Sequence, residues 1–159
     1  MDNKYQENKR GEKREGVKDF FTIRQLSTSE AMAISFYMFL SLLSGARGIA
    51  LIQMTPEEVA RSQMYVSLTQ YMSIEVWGGL LLVAATVLLL SALLPKEPEY
   101  IVSIISNIVL AILFFLLSAA AYENGSSILN LYNHTIILTA HVCLAGLGVL
   151  GLCRKRKNT

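Results

Sequence analysis

The chain has 159 residues, of which 53% are hydrophobic and only 16% are charged, and its formal net charge is +2. A soluble globular domain normally carries about a quarter charged residues. The composition therefore excludes an ordinary soluble domain and predicts a protein that is solvated mostly by lipid.

The N-terminal segment, 1–30, is predicted to be a charged cytoplasmic tail. Residues 2–16 mix both signs of charge and contain no aliphatic side chain, which is typical of disorder. Val17, Phe20, Phe21 and Arg24 follow at helical spacing and predict a short amphipathic helix on the inner leaflet. Because acidic residues nearly balance the basic residues of this tail, we expect no nucleic-acid partner.

Four apolar segments are each long enough to cross a bilayer, which takes about 20 residues. Backbone polar groups must be paired internally in lipid, so each segment is predicted to be a helix. The predicted spans are 31–53, 74–94, 100–121 and 128–153. The sequence thus predicts an all-α fold, a four-helix transmembrane bundle over 31–153, with a basic cytoplasmic tail at 154–159.

An extracytoplasmic helical segment is predicted between the first two spans. Thr55 has the position of an N-cap, Pro follows at the first helical position, and Glu58 completes a capping box. The pattern predicts a helix over 56–73, which either lies on the outer surface or extends the second span. Tyr71 and Trp77 are predicted to belong to an aromatic belt at this interface.

The distribution of basic residues predicts the orientation. Lysine and arginine are concentrated in the N-terminal tail, in the C-terminal tail and at Lys96 between the second and third spans. Because positive loops stay in the cytoplasm, we expect a multi-pass protein of the plasma membrane with both termini cytoplasmic. A signal peptide cleaved near Ser44–Ala46 is the alternative, but the charged region before the first apolar run is too long for one.

Three glycines, Gly146, Gly148 and Gly151, spell the G-x-G-x-x-G motif of dinucleotide-binding loops. That motif requires a preceding strand, whereas here it follows an apolar helical run. The sequence also lacks a nucleophile–base pair, an H-E-x-x-H motif and a P-loop. We therefore expect no nucleotide, no cofactor, no metal site and no catalytic residue, and predict that the protein is not an enzyme.

Small residues predict close helix contacts, because they let two backbones approach each other in lipid. The candidate packing face comprises Ser41, Ser44, Gly45 and Gly48 in the first span and Ala145 and Gly148 in the fourth. The pattern leaves open whether the partner helix belongs to the same chain or to a second copy.

Arg47 is predicted to lie about 24 Å along the first helix, in the outer half of the bilayer. A charge at mid-membrane costs about 2.5–3.5 kcal/mol on insertion scales. Glu75 begins the next span at a similar depth, so the two side chains are a candidate intramembrane pair. Arg47 could instead extend to the lipid head groups or belong to a substrate or ion site.

Two histidines, His134 and His141, share one face of the fourth span but lie about 10 Å apart along it. They cannot chelate one metal ion by themselves. Ser103 and Asn107 on the third span are candidate partners, so the four residues form a candidate polar face. It could serve interhelical hydrogen bonding, proton transfer or pH sensing, or a metal ion shared between copies.

The stretches SGARGIALI and SIEVWGGLLLVAATVLLLSA resemble small uncharacterised membrane proteins of Gram-positive bacteria and their phages. The resemblance covers about 31–94 and depends on an Arg-Gly near the end of the first span and a Trp-Gly that opens the second. It implies a bacterial plasma membrane or a phage origin and argues against an enzyme.

Three functions fit these features. The first is an accessory protein that acts by helix–helix interaction in the bilayer, binding a membrane-protein partner or a second copy through Ser41, Gly45 and Gly48. The second is a small channel or transporter that uses the Arg47/Glu75 and His134/His141 pairs. The third is a holin-like lysis pore, since short membrane proteins with a basic C-terminus fit that class.

Overall fold

The computed structural model describes residues 28–92 and 96–157, and all regular structure in these ranges is helical. The helices are α1 (Thr28–Ile52), α2 (Pro56–Ala60), α3 (Gln63–Thr69), α4 (Ile74–Ser91), α5 (Lys96–Glu123) and α6 (Ile128–Lys157). The predicted all-α fold is confirmed. Residues from Ala33 onward form one unit, and of the N-terminal unit, Met1–Met32, only the start of α1 is described. The amphipathic helix predicted within 16–26 lies outside the described residues.

Four of these helices are long and apolar enough to cross a membrane. Their spanning stretches are Ala31–Ile52, Ile74–Ser91, Ile101–Glu123 and Ile128–Arg154. Large apolar side chains such as Phe39, Ile112 and Leu150 are more than half exposed on their outer faces. Such a surface suits lipid and not water. The chain is therefore a multi-pass membrane protein, in agreement with the four spans predicted from the sequence.

Two of the spanning helices are longer than their apolar segments. α5 begins at Lys96 instead of residue 100, and α6 continues to Lys157 instead of ending at residue 153. Pro98 is tolerated in the first turn of α5, because the N–H that proline lacks has no intrahelical partner there.

The segment between α1 and α4 forms two short helices instead of the single helix predicted over 56–73. The predicted capping box is present: Thr55 N–H donates to Glu58 Oε2 at 2.8 Å, and Glu58 N–H donates to Thr55 Oγ1 at 3.3 Å. The bond from the Thr55 backbone holds the pKa of Glu58 below its ordinary value. The helix is interrupted at Ser62, whose backbone is extended.

Trp77 joins the short helix α3 to the bundle. Its side chain is only 3% exposed, and its indole Nε1–H donates to the carbonyl oxygen of Leu68 at 3.2 Å. A buried indole N–H needs such a partner. Trp77 is therefore a core residue and not part of an exposed aromatic belt, whereas Tyr71 is 80% exposed.

Replacing Trp77 by Phe should reduce the free energy of unfolding by about 1–3 kcal/mol, because the buried indole N–H bond to Leu68 is lost and the smaller ring leaves a cavity in the core. Thermal unfolding in detergent, followed by circular dichroism, measures the change. Tyr71→Phe is the control, since that hydroxyl is exposed. Equal effects of the two substitutions would contradict this role of the indole.

The connection between α5 and α6 is a tight turn closed by glycine. Gly125 has a φ of +59°, a conformation that side chains rarely adopt. Ser126 N–H donates to Ala121 O at 3.0 Å, and Gly125 N–H donates to Tyr122 O at 3.3 Å, which is the Schellman pattern. The turn reverses the chain, so that α5 and α6 pack side by side.

Candidate functional site

Polar side chains from α1, α3, α5 and α6 meet inside the bundle in two groups. The arginine group consists of Arg47, Tyr65 and His134, and the asparagine group consists of Ser44, Ser103, Asn107 and His141. All members except Arg47 are buried. Polar and ionisable residues are costly in a membrane interior and mark functional sites there.

The arginine group consists of one cation and two acceptors. Arg47 Nη2 donates to Tyr65 Oη at 3.0 Å and to His134 Nε2 at 3.2 Å. A guanidinium has only donors, so His134 Nε2 accepts and the proton of the neutral imidazole is on Nδ1. Arg47 Nε and His134 Nδ1 are both buried without a hydrogen-bond partner. Each such unpaired N–H costs about 1–3 kcal/mol.

The asparagine group links three membrane helices. Asn107 Nδ2 donates to the carbonyl oxygen of Ser103 at 2.8 Å, which leaves Asn107 Oδ1 to accept from His141 Nδ1, also at 2.8 Å. The other ring nitrogen, His141 Nε2, lies 3.0 Å from Ser44 Oγ. Because a hydroxyl can donate or accept, His141 has suitable partners in both its neutral and its protonated form.

Phe114 of α5 lies between the two groups. Its ring centroid is 6.1 Å from that of His134 and 5.8 Å from that of His141, and its side chain is fully buried. The two histidines are about two helical turns apart on α6. The arginine group, Phe114 and the asparagine group therefore form a polar column inside the bundle that is interrupted by an aromatic ring.

Arg47 and Glu75 do not form the predicted ion pair. Glu75 is exposed in the first turn of α4 and interacts with Ser73. Ile74 and Trp77, its neighbours on α4, are buried. The side of α4 that carries them therefore faces the bundle, and Glu75 lies on the outer side. Of the predicted polar face, His141 bonds to Asn107 and Asn107 bonds to Ser103, whereas His134 contacts Arg47.

Three small residues of α1, namely Ser41, Gly45 and Gly48, pack against α4 of the same chain, whereas Ser44 faces His141 of α6. A Cβ atom added to Gly48 would lie 2.7 Å from Gly78 O, so the two backbones touch at this point. Gly45 lies against Ala85, whose carbonyl oxygen accepts a hydrogen bond from Ser41 Oγ. The predicted packing face on α1 is therefore covered within the chain.

The small residues of α6 have different surroundings. A Cβ atom added to Gly148 would lie 2.6 Å from Ile104 Cγ1, which makes Gly148 a contact point between α5 and α6. Ala145 is partly exposed beside it, and Gly146 has open space around its Cα. Because Gly146, Gly148 and Gly151 all lie within one continuous helix, they do not form the turn of a dinucleotide-binding loop.

No three His, Cys, Asp or Glu side chains in 28–92 and 96–157 are grouped so that they could hold a metal ion. Comparison with protein-family models, curated proteins and solved structures gave no match. The arrangement of side chains is therefore the basis for proposing a function.

Sequence reasoning did not assign Tyr65 or Phe114 to this site. It placed Ser44 on a helix-packing face and missed its hydrogen bond to His141. Ser44 and Arg47 are three residues apart and so share a helix face, a spacing that could have indicated that both point toward the histidines. Tyr65 lies on the short helix α3, and no local pattern predicts that this helix packs over the membrane bundle.

Proposed function

We propose that the protein is a small channel or transporter of the plasma membrane and not an enzyme. The observation that carries this proposal is the polar column, in which side chains from three spanning helices and α3 meet in the bundle interior around His134 and His141. Such groups can relay protons or replace part of the hydration shell of an ion. Phe114, which lies between the two histidines, would block the passage of protons or ions in the resting state.

In this proposal both termini face the cytoplasm. An even number of spans puts the two tails on the same side, and most lysine and arginine residues of the sequence lie in those tails or at Lys96. The positive-inside rule assigns that side to the cytoplasm. Arg47 and Tyr65 then lie toward the outer surface, and Ser103 lies toward the cytoplasm.

The accessory-protein hypothesis is weaker, because the surface that it requires is occupied. Ser41, Gly45 and Gly48 contact α4 of the same chain, so a second copy or a partner helix would have to displace α4. The polar column, by contrast, has buried groups without partners. For this reason we favour the transport function over the accessory-protein hypothesis.

The test is flux through the purified protein in liposomes. With a potential set by valinomycin, proton entry is read by a trapped pH-sensitive dye, and uptake of inorganic phosphate is measured in parallel. We expect Arg47→Ala and His141→Ala each to reduce flux at least tenfold, since each substitution breaks the polar column. Arg61→Ala is the matched control, because Arg61 is an exposed arginine outside the spans.

Circular dichroism and gel filtration of each variant show whether it is folded. Absence of both fluxes in the parent protein, or unchanged flux in both folded variants, would refute transport. Abrupt cell death on induced expression would support a lysis pore in its place.

A further inference from the structure

The arginine group has more hydrogen-bond donors than acceptors. Arg47 is a permanent cation with five N–H donors, and the structure pairs only its Nη2 group, with Tyr65 and His134. Its Nε–H is buried without a partner. Arg47 itself is partly exposed, so part of its side chain lies at the surface of the bundle.

His134 supplies a second donor without an acceptor. The side chain is fully buried, and its Nε2 is engaged by the Arg47 guanidinium, which fixes the ring proton on Nδ1. That Nδ1–H has no partner. Tyr65 adds a third donor, because its oxygen accepts from Arg47 and its own O–H remains available.

No acidic side chain compensates this charge in the part of the chain that the structure describes. The acidic residues whose surroundings are described, Glu57, Glu58, Glu75 and Glu123, are all exposed. The partners of Arg47 are a phenol oxygen and an imidazole nitrogen, and neither belongs to a carboxylate. Among the residues whose surroundings are described, the group is therefore a cation with surplus donors and no acidic partner.

We infer that the arginine group binds an anionic oxygen ligand, a phosphate or a carboxylate. Arginine recognises both groups through charge-assisted hydrogen bonds, and the free N–H and O–H donors of this group have the complementary chemistry. The inference extends the proposed function, since such an anion would be the transported solute or the head group of an anionic lipid at the site.

The experiment measures binding separately from flux. The full chain is placed in nanodiscs of phosphatidylcholine and titrated calorimetrically with inorganic phosphate and with succinate, with chloride at constant concentration. A second arm uses native mass spectrometry to detect phosphatidylglycerol retained by the protein from mixed lipid. We expect saturable binding in at least one arm, weakened at least tenfold by Arg47→Gln.

Two further variants keep the result interpretable. Arg61→Gln removes an exposed arginine and should leave affinity within twofold of the parent chain. His134→Phe replaces the imidazole by a larger ring without nitrogen atoms, so it removes both the Nδ1–H donor and the Nε2 acceptor that pairs with Arg47. It should weaken binding at least threefold even if Arg47→Gln does not fold. Binding of phosphate or succinate identifies a soluble anion, and binding of phosphatidylglycerol alone identifies a lipid head group; either outcome supports the inference.

Binding of none of the three probes to the parent chain would overturn the inference, as would unchanged affinity in folded Arg47→Gln and His134→Phe variants. The two proposals fail separately. Binding without flux would refute transport and keep the anion site, whereas proton flux in a chain that binds no oxyanion would keep transport and refute the site.

Discussion

Replacing Gly78 by Ala should destabilise the bundle by about 1–3 kcal/mol, the usual cost of overpacking a tight contact. A Cβ atom at this position would lie 2.5 Å from Gly48 O and 2.9 Å from Ile52 N. Both are backbone atoms, so no side-chain rotation relieves the overlap and α1 must move away from α4. That movement would also break the hydrogen bond from Ser41 to Ala85.

Denaturant unfolding followed by tryptophan fluorescence measures this change, because Trp77 is the single tryptophan and lies beside Gly78 in the core. Gly79→Ala is the control: a Cβ atom at Gly79 meets nothing within 4 Å. The higher helix propensity of alanine should leave this variant unchanged or stabilise it by up to about 1 kcal/mol. If both variants were equally stable, the α1–α4 contact would be looser than described.

Replacing Phe114 by Ala should have a larger effect, a loss of about 3–5 kcal/mol in the free energy of unfolding. The ring is fully buried and packs against both histidines. The resulting cavity would lie beside the imidazole rings of His134 and His141, so water could enter and hydrogen-bond to polar groups there. If the protein conducts as proposed, the variant should also leak protons at least ten times faster than the parent chain.

Phe115 provides the matched control for this experiment. It is the next residue on α5 but is 58% exposed on the outer face, so Phe115→Ala should cost less than about 1 kcal/mol and leave proton flux unchanged. Stability is measured by thermal unfolding in detergent, and leak by the trapped dye in liposomes. A Phe114→Ala variant that is destabilised but no leakier than the parent would mean that the ring is only a packing element.

Local patterns were sufficient to predict the helices. The four spans, the capping box at Thr55 and the helical segment before α4 follow from hydrophobicity over about 20 residues and from short capping motifs. The same patterns predicted the helix ends less accurately. Hydrophobicity indicates which residues lie in lipid, whereas the backbone hydrogen bonds of a helix continue into the polar residues on either side. They also missed the break at Ser62.

The candidate site shows where sequence reasoning ended. Asn107 and Ser103 were predicted as partners of the histidines, and the structure places both in the asparagine group with His141. Glu75 was one candidate partner of Arg47, proposed from opposite charge and similar depth, but neither property says which way each side chain points around its helix. The rotation of α4, set by Ile74 and Trp77, leaves Glu75 on the outside.

The sequence by itself determined that this chain has four lipid-spanning helices, because a long uncharged apolar segment satisfies its backbone in lipid only by becoming a helix. Only the tertiary structure decided which faces meet: Gly48 against Gly78, and Arg47 against His134 and Tyr65. In lipid, helix association depends on fit and hydrogen bonding and much less on hydrophobicity. Which helix faces pack together therefore depends on contacts between residues far apart in the chain, and local sequence patterns carry no information about such contacts.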